Sequence, residues 1–337
     1  MQSTLSIQNL HIAVRSGGGV YEAVRGLSLD IAPGEVVAVV GESGSGKSLT
    51  ALSILGLLPR GIANVTQGQL LFGGKDLAKA SPSGLDSVRG SDIGMVFQEP
   101  LSALNPVVRI GAQMTEGVRI RRGLSAKDAQ AMALAALKKV RISDPERRLQ
   151  QYPHELSGGM RQRVVIAMAL ISSPKLLIAD EPTTALDVTI QAQIIALLKD
   201  LQASEGLAMM LITHDLGIVA QIANRVFVMY AGEIVESGSV ETILGAPRHP
   251  YTKGLLSCVP ELSFDSRRLN VIPGTMPAIS APMFGCRFKT RCDLYRPGAC
   301  DAPVALRPIA PDHDFRCTQP FAGADAYDVK AAHASAV

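Results

Sequence analysis

VVAVVGESGSGKS, residues 36–48, is the stretch whose reading decides the fold. Its first five residues form a continuous apolar run, the composition of a strand buried on both faces. The next eight, GESGSGKS at 41–48, fit the pattern G-x-x-x-x-G-K-[ST], and a helical run over 48–58 follows. Strand, glycine loop and helix in that order are the context the pattern requires. Glycine lets the backbone curl until successive N–H groups point inward at phosphate oxygens, and the helix N-terminus adds a favourable dipole. Lys47 can reach β- and γ-phosphates, and the Ser48 hydroxyl can ligate Mg²⁺. The expected nucleotide-binding set is therefore Gly41, Ser43, Gly44, Ser45, Gly46, Lys47, Ser48 and Leu49.

Outward from the loop, 5–14 alternate apolar and polar like a half-exposed strand, 17–19 make a turn, and 24–31 read as a second strand closed by Pro33 and Gly34. IGMVF at 93–97 is another buried strand. From about 100 to 172 the texture is helical. Val107, Ile110, Met114 and Val118 are expected on one face, 125–140 is Ala-rich with Ser125 as its N-cap, and a third helix runs over 158–172. The β/α alternation then resumes. LLIA at 176–179 is a strand, Ile190, Ile194, Leu197, Leu198 and Leu201 form a helical stripe, 207–213 is a strand, and 226–230 pairs with 233–236. After about 245, proline, glycine and cysteine dominate, and the final AAHASAV has the look of a frayed tail. The fold class is α/β, with a helical insertion and a small irregular C-terminal module.

With 337 residues the chain has room for about two domains. Lys and Arg number 33 against 30 Asp and Glu, a net charge of +3 that gives no electrostatic grip on nucleic acid. Aromatics are 4% with no Trp, so base-stacking platforms are not expected either. No run of about 18 apolar residues occurs, and the mean hydropathy of +0.20 comes from short runs such as 36–40 and 176–179. MQSTLSIQNLHIAV at the N-terminus lacks the basic-then-apolar order of a signal peptide, which points to the cytosol.

Strand C-termini in a parallel sheet line up along one edge, where ligands bind. Gln98, Asp180, Glu181 and His214 all stand at such ends and are expected to converge on 41–48. Asp180 suits a Mg²⁺ shell, and Glu181, projecting differently, suits orienting or deprotonating a water. LSGGM at 156–160 opens another helix, with Ser157 as cap and two glycines exposing N–H groups, a second anion site. One γ-phosphate cannot be held by both loops of one chain if they sit on separate subdomains, so the second loop implies a partner chain whose nucleotide it completes.

In order and spacing, these motifs resemble the ATPase subunits of ABC transporters over about 5–245. The match comprises a Walker A loop at 41–48, Q-loop Gln98, signature LSGGM, Walker B LLIADE at 176–181, a D-loop TALD at 184–187 and switch His214. The resemblance implies a P-loop NTPase cassette over 1–245, a RecA-like core with a helical subdomain at about 100–172. It casts Tyr21 as the aromatic that stacks on adenine. Glu181 and His214 become catalytic, and Ser48, Gln98 and Asp180 the Mg²⁺ set. Ser157, Gly158, Gly159 and Met160 face the partner's ATP, with Asp187 in the D-loop. HPYTKGLLSCVP at 249–260, IPGTMP at 272–277 and GCRFKTRC at 285–292 narrow the resemblance to the dipeptide, oligopeptide and nickel importer ATPases, whose C-terminal module would span 246–320, with a flexible tail at 321–337.

Met160, where many ABC ATPases have glutamine, resembles the first of the two ATPase kinds that family members usually pair. The resemblance therefore implies an ATP-hydrolysing translocase subunit that is heterodimeric with a second ABC ATPase. It would be peripheral on the cytoplasmic face of the inner membrane, docked on two permease subunits and served by an extracytoplasmic solute-binding protein. Dipeptides or oligopeptides are the expected cargo, with nickel, glutathione or an opine-like compound as the alternative. A soluble ABC ATPase acting on DNA or ribosomes is the remote one, since no heptads and no cysteine separate Lys47 from Ser157.

Four of the five cysteines, Cys286, Cys292, Cys300 and Cys317, follow the spacing C-x5-C-x7-C-x16-C. In a reducing compartment such a cluster favours metal over disulfides, and the spacing does not choose between zinc, an iron–sulfur centre and unligated packing thiols. Resemblance to the peptide-importer ATPases, some of which hold a 4Fe–4S cluster in this segment, favours that cluster, with Arg287, Lys289 and Arg291 offsetting its charge. Cys258 is expected as a core residue.

Overall fold

The computed structural model describes residues 3–259, 271–281 and 283–318. The expected flexible tail at 321–337 lies outside them, as do parts of the C-terminal segment. Among the described residues no helix is long and apolar enough to cross a membrane. By its internal contacts the chain forms two units, one of 31–35 and 80–211 with the residues up to 4, the other of 5–30, 36–79 and 212 onward.

The second unit holds the loop 41–48. Its four-stranded sheet runs in the order Gly19–Ile31, Leu5–Ser16, Ala63–Phe72, Lys75–Asp76. Leu5, Ile7, Leu10 and Ile12 of Leu5–Ser16 are buried, and the three-residue step from Ile7 to Leu10 breaks strict alternation where the pairing register shifts after Gln8 and Asn9 takes φ 46°. A second sheet in this unit takes the order Arg307–Ala310, His313–Phe315, Glu233–Ser239, Arg225–Tyr230, Val36–Val40. Val36–Val40 lies parallel to Arg225–Tyr230, pairing Val40 with Val228, and every one of its five residues is buried. Arg225–Tyr230 and Glu233–Ser239 pair antiparallel, as the sequence predicts. The pair Arg307–Ala310 and His313–Phe315 was not foreseen, because its short strands carry little apolar alternation.

In the first unit Ile93–Val96 runs parallel to Leu176–Asp180, which neighbours Ala208–Thr213. Helices Ile110–Arg122, Ala126–Lys139 and Gly158–Leu170 supply the expected helical texture. Ser125 caps Ala126–Lys139, its hydroxyl accepting from the Asp128 N–H at 3.2 Å. Ala129, Ala133, Ala136 and Leu137 bury the inner stripe of that helix, and small alanines let its neighbours approach closely. Val107 departs from expectation: it precedes the helix and is 77% exposed, whereas Ile110, Met114 and Val118 are buried. Helix Val188–Glu205 buries Ile194, Leu197, Leu198 and Leu201 as the stripe requires, with Ile190 only half-buried at its first turn.

Candidate active site

The phosphate-type loop is built by steric compulsion. Gly41 has φ 153°, and a Cβ there would run into the Met229 carbonyl oxygen. At Gly46, φ 103°, a Cβ would lie 2.8 Å from Met229 Cε and 3.0 Å from the Ala23 carbonyl. Glycine is required at both. Lys47, 5% exposed, opens helix Lys47–Ile54 and curls over its own loop, Nζ donating to the Gly41 carbonyl at 2.8 Å and the Glu42 carbonyl at 2.9 Å. Ser45 is fully buried and its carbonyl accepts from the Gly232 N–H at 2.9 Å, while Ser43, Gly44 and Ser48 face outward and Leu49 is half-buried. Tyr21 is half-buried in Gly19–Ile31, with its ring folded over Gly19. His214, in this same unit, is exposed just past Ala208–Thr213. Asp215 beside it caps Leu216–Ile222, accepting from the Gly217 N–H at 2.8 Å.

The other unit carries the remaining candidates. Leu176–Asp180 is buried throughout and ends on Asp180, 5% exposed. Glu181 then takes left-handed backbone at φ 46°, uncommon for a residue other than glycine. One Glu181 oxygen accepts from Gln98 Nε2 at 2.9 Å and from Thr184 Oγ1 at 2.8 Å. Two parallel strand ends thus bring Gln98 and Glu181 together. Gln98 donates through its amide nitrogen, so its amide oxygen is the atom suited to a cation. Thr184 escaped the sequence reading as a contact of Glu181. The signal was a hydroxyl three residues after an acid, in a turn that closes with the Thr184 N–H on the Glu181 carbonyl.

Ser157 caps Gly158–Leu170, accepting from the Met160 N–H at 3.4 Å, and it and Gly158 are exposed. A Cβ on Gly159 would sit 2.8 Å from Ile190 Cγ2, so any side chain there has to displace that isoleucine. Asp187 caps Val188–Glu205, accepting from the Ile190 N–H at 2.9 Å. Gln162, 1% exposed, ties the signature helix to the strand-end turn by donating to the Pro182 carbonyl at 2.6 Å.

The cysteine expectation is corrected. Among the described residues, no group of three or more His, Cys, Asp or Glu could hold a metal ion, which removes both the 4Fe–4S cluster and zinc. Cys286, Cys292, Cys300 and Cys317 do line one small cavity, shared with His249, Pro250, Phe288 and Leu294, but as free thiols. Burial raises the Cys286 and Cys292 thiols above their usual range, which favours the neutral form that packs over the thiolate that ligates. The cations assigned to the cluster are committed elsewhere: Arg287 pairs with Glu233, Lys289 with Asp301 and Arg291 with Glu42. Cys258 is half-buried at the end of helix Pro250–Ser257, not in the core.

Comparison with known proteins covers both halves of the sequence. A family described as ABC transporter matches 24–184, and one described as oligopeptide/dipeptide transporter, C-terminal region, matches 235–300. The dipeptide transport ATP-binding protein DppD of Bacillus subtilis (strain 168) is 50% identical over 94% of this chain and 95% of its own length. The oligopeptide transport ATP-binding protein OppD of the same organism is 50% identical over 85% of this chain and 80% of its own. Among solved structures, the ATP-binding cassette MJ0796, a dimer in a post-hydrolysis state bound to ADP and Pi, superposes with TM-score 0.62 and 30% identity, covering 70% of this chain and 98% of that one.

Proposed function

This chain belongs to the ABC transporter ATPases, in the branch that imports dipeptides and oligopeptides, and from that premise we propose how its residues divide the work. It is the ATP-binding, ATP-hydrolysing subunit of such an importer, acting with membrane permeases and a solute-binding protein. In our reading the triphosphate sits on 41–48, with Lys47 on the β- and γ-phosphates and Tyr21 stacked on adenine. Ser48, Gln98 and Asp180 are hard oxygen donors fit for Mg²⁺, which when bound neutralises phosphate charge. Glu181 orients the attacking water and takes its proton, and His214 steadies the γ-phosphate.

Ser157, Gly158, Gly159 and Met160 complete the ATP of a second, related ATPase, with Asp187 at that junction. The partner's signature in turn completes the ATP held here. We assign 1–245 to the ATPase domain, with a helical subdomain at about 100–172, and 246–320 to the importer-type C-terminal module. We place the subunit at the cytoplasmic face of the inner membrane.

One observation carries this reading. The Glu181 carboxylate is gripped by Gln98 and Thr184 at the end of a strand whose last residue is the buried Asp180. A base so held is already oriented before any water arrives.

Subunit masses of the purified transporter test the pairing. One copy of this chain with one copy of a related ATPase is expected, with Ser157→Arg here stopping hydrolysis of the partner's ATP. Two copies of this chain alone in an active transporter would reject the heterodimer.

A further inference from the structure

Glu42 puts a carboxylate inside a loop whose backbone is shaped to hold anions. Placed beside a triphosphate, it would repel it. The structure answers this charge from the C-terminal segment. Arg291, on the short turn Lys289–Arg291, donates from Nη1 to both Glu42 oxygens, each at 3.0 Å, and to the Tyr230 hydroxyl at 3.4 Å.

The guanidinium is itself fixed. Its Nε donates to the Pro273 carbonyl at 2.8 Å and its Nη2 to the Ile272 carbonyl at 3.4 Å. The Tyr230 and Phe288 rings lie 5.8 and 5.9 Å from its carbon, and its side chain is 5% exposed. A second tie holds the backbone of the same loop residue: the Glu42 N–H donates to the Tyr251 hydroxyl, on helix Pro250–Ser257, at 2.9 Å. Tyr251 is fully buried against Tyr230, ring centroids 4.6 Å apart.

We propose that Arg291 is a positioning residue for ATP: it neutralises Glu42 and turns that carboxylate aside, so that the loop offers its N–H groups and Lys47 to the phosphates. The C-terminal segment is then part of the nucleotide-binding machinery as well as a mark of the importer branch. This rests on 41–48 being the phosphate site.

Equilibrium binding of ATP and ADP to the purified full chain tests it. Arg291→Gln should weaken ATP about tenfold and ADP less, because an unpaired carboxylate repels the larger charge more strongly. Added salt should recover part of the loss, and the double variant Glu42→Gln with Arg291→Gln should recover most of it. A merely structural staple would lower ATP and ADP affinity together, and the second substitution would not restore either.

Equal ATP affinity in Arg291→Gln and wild type, or no recovery in the double variant, overturns the proposal. Should Arg291→Gln not fold, Glu42→Gln alone reads the same balance and should tighten ATP about threefold; unchanged or weaker binding overturns the proposal. Lys47→Ala separates the two layers: if it binds ATP as well as wild type does, the phosphate-site reading fails whatever Arg291 does.

Discussion

At Gly41 the backbone stands at φ 153° against the Met229 carbonyl, and no side chain fits. At Cys300 a buried thiol accepts weakly from the Arg296 N–H at 3.5 Å and lies 3.7 Å from the Thr318 hydroxyl. Both residues belong to motifs singled out by their spacing, in the same unit of the molecule. In the phosphate-type loop the chemistry is carried by the backbone, and the glycines are dictated by what the chain passes close to. In the cysteine segment it would be carried by side chains that can either ligate or pack. Among the described residues no group of three or more His, Cys, Asp or Glu could hold a metal ion, and Arg287, Lys289 and Arg291 are committed to carboxylates, so the thiols are read as packing groups.

Substitution at the loop should be the most damaging. Gly41→Ala must move the Met229 strand or abandon its own φ, and we expect a loss of about 2–4 kcal/mol in stability with at least about tenfold weaker ATP binding. Denaturant unfolding and nucleotide titration check both; near-wild-type values would mean that the loop is not sterically dictated.

His249 offers the next test, from a wall of the thiol cavity. It is fully buried, and that burial pulls its pKa down from 6.5 to about 4, although Glu236 pushes the other way. Its Nδ1 accepts from the Tyr251 N–H at 3.1 Å, a bond that only the unprotonated nitrogen can make. Between pH 6.5 and about 4 the unfolded chain therefore binds a proton that the folded chain refuses. Stability contributed by the neutral ring is intact above 6.5 and falls as the pH drops, by up to about 3 kcal/mol. His249→Gln keeps an acceptor but cannot titrate, so its unfolding free energy should vary less steeply with pH over that window. An identical slope in the two proteins would place the His249 ring in contact with water.

The cysteines should give the smallest effect. Cys300→Ala and Cys317→Ala should each cost about 1 kcal/mol and leave ATPase activity within about twofold, since each removes a small packed group. Iron at about four equivalents per chain or zinc at about one, lost in either variant, would break the contrast between the two regions.

Legibility in the sequence followed the same divide. The run 36–48 gave its strand, loop and helix because apolar continuity and glycine spacing have few alternative meanings. Gln98 and Glu181 could be brought together on paper because parallel strands end on one edge. Glu42 with Arg291 could not, because their 249-residue separation leaves no local trace. Val107 misled because an apolar residue at helical spacing says nothing of where the helix begins; the chain enters that helix at Ile110 and leaves Val107 outside. For the cysteines the spacing left metal and packing both open, and the family resemblance, not the spacing, favoured the cluster that the structure does not support.

The catalytic assignment of Glu181 is tested most directly by Glu181→Gln in the assembled transporter, with ATP binding and hydrolysis measured on the same preparation. Binding relies on the loop 41–48 and should persist at wild-type affinity, while turnover should fall at least ~10²-fold and the ATPase pair should remain closed on its nucleotide. Hydrolysis at close to the wild-type rate would contradict the account.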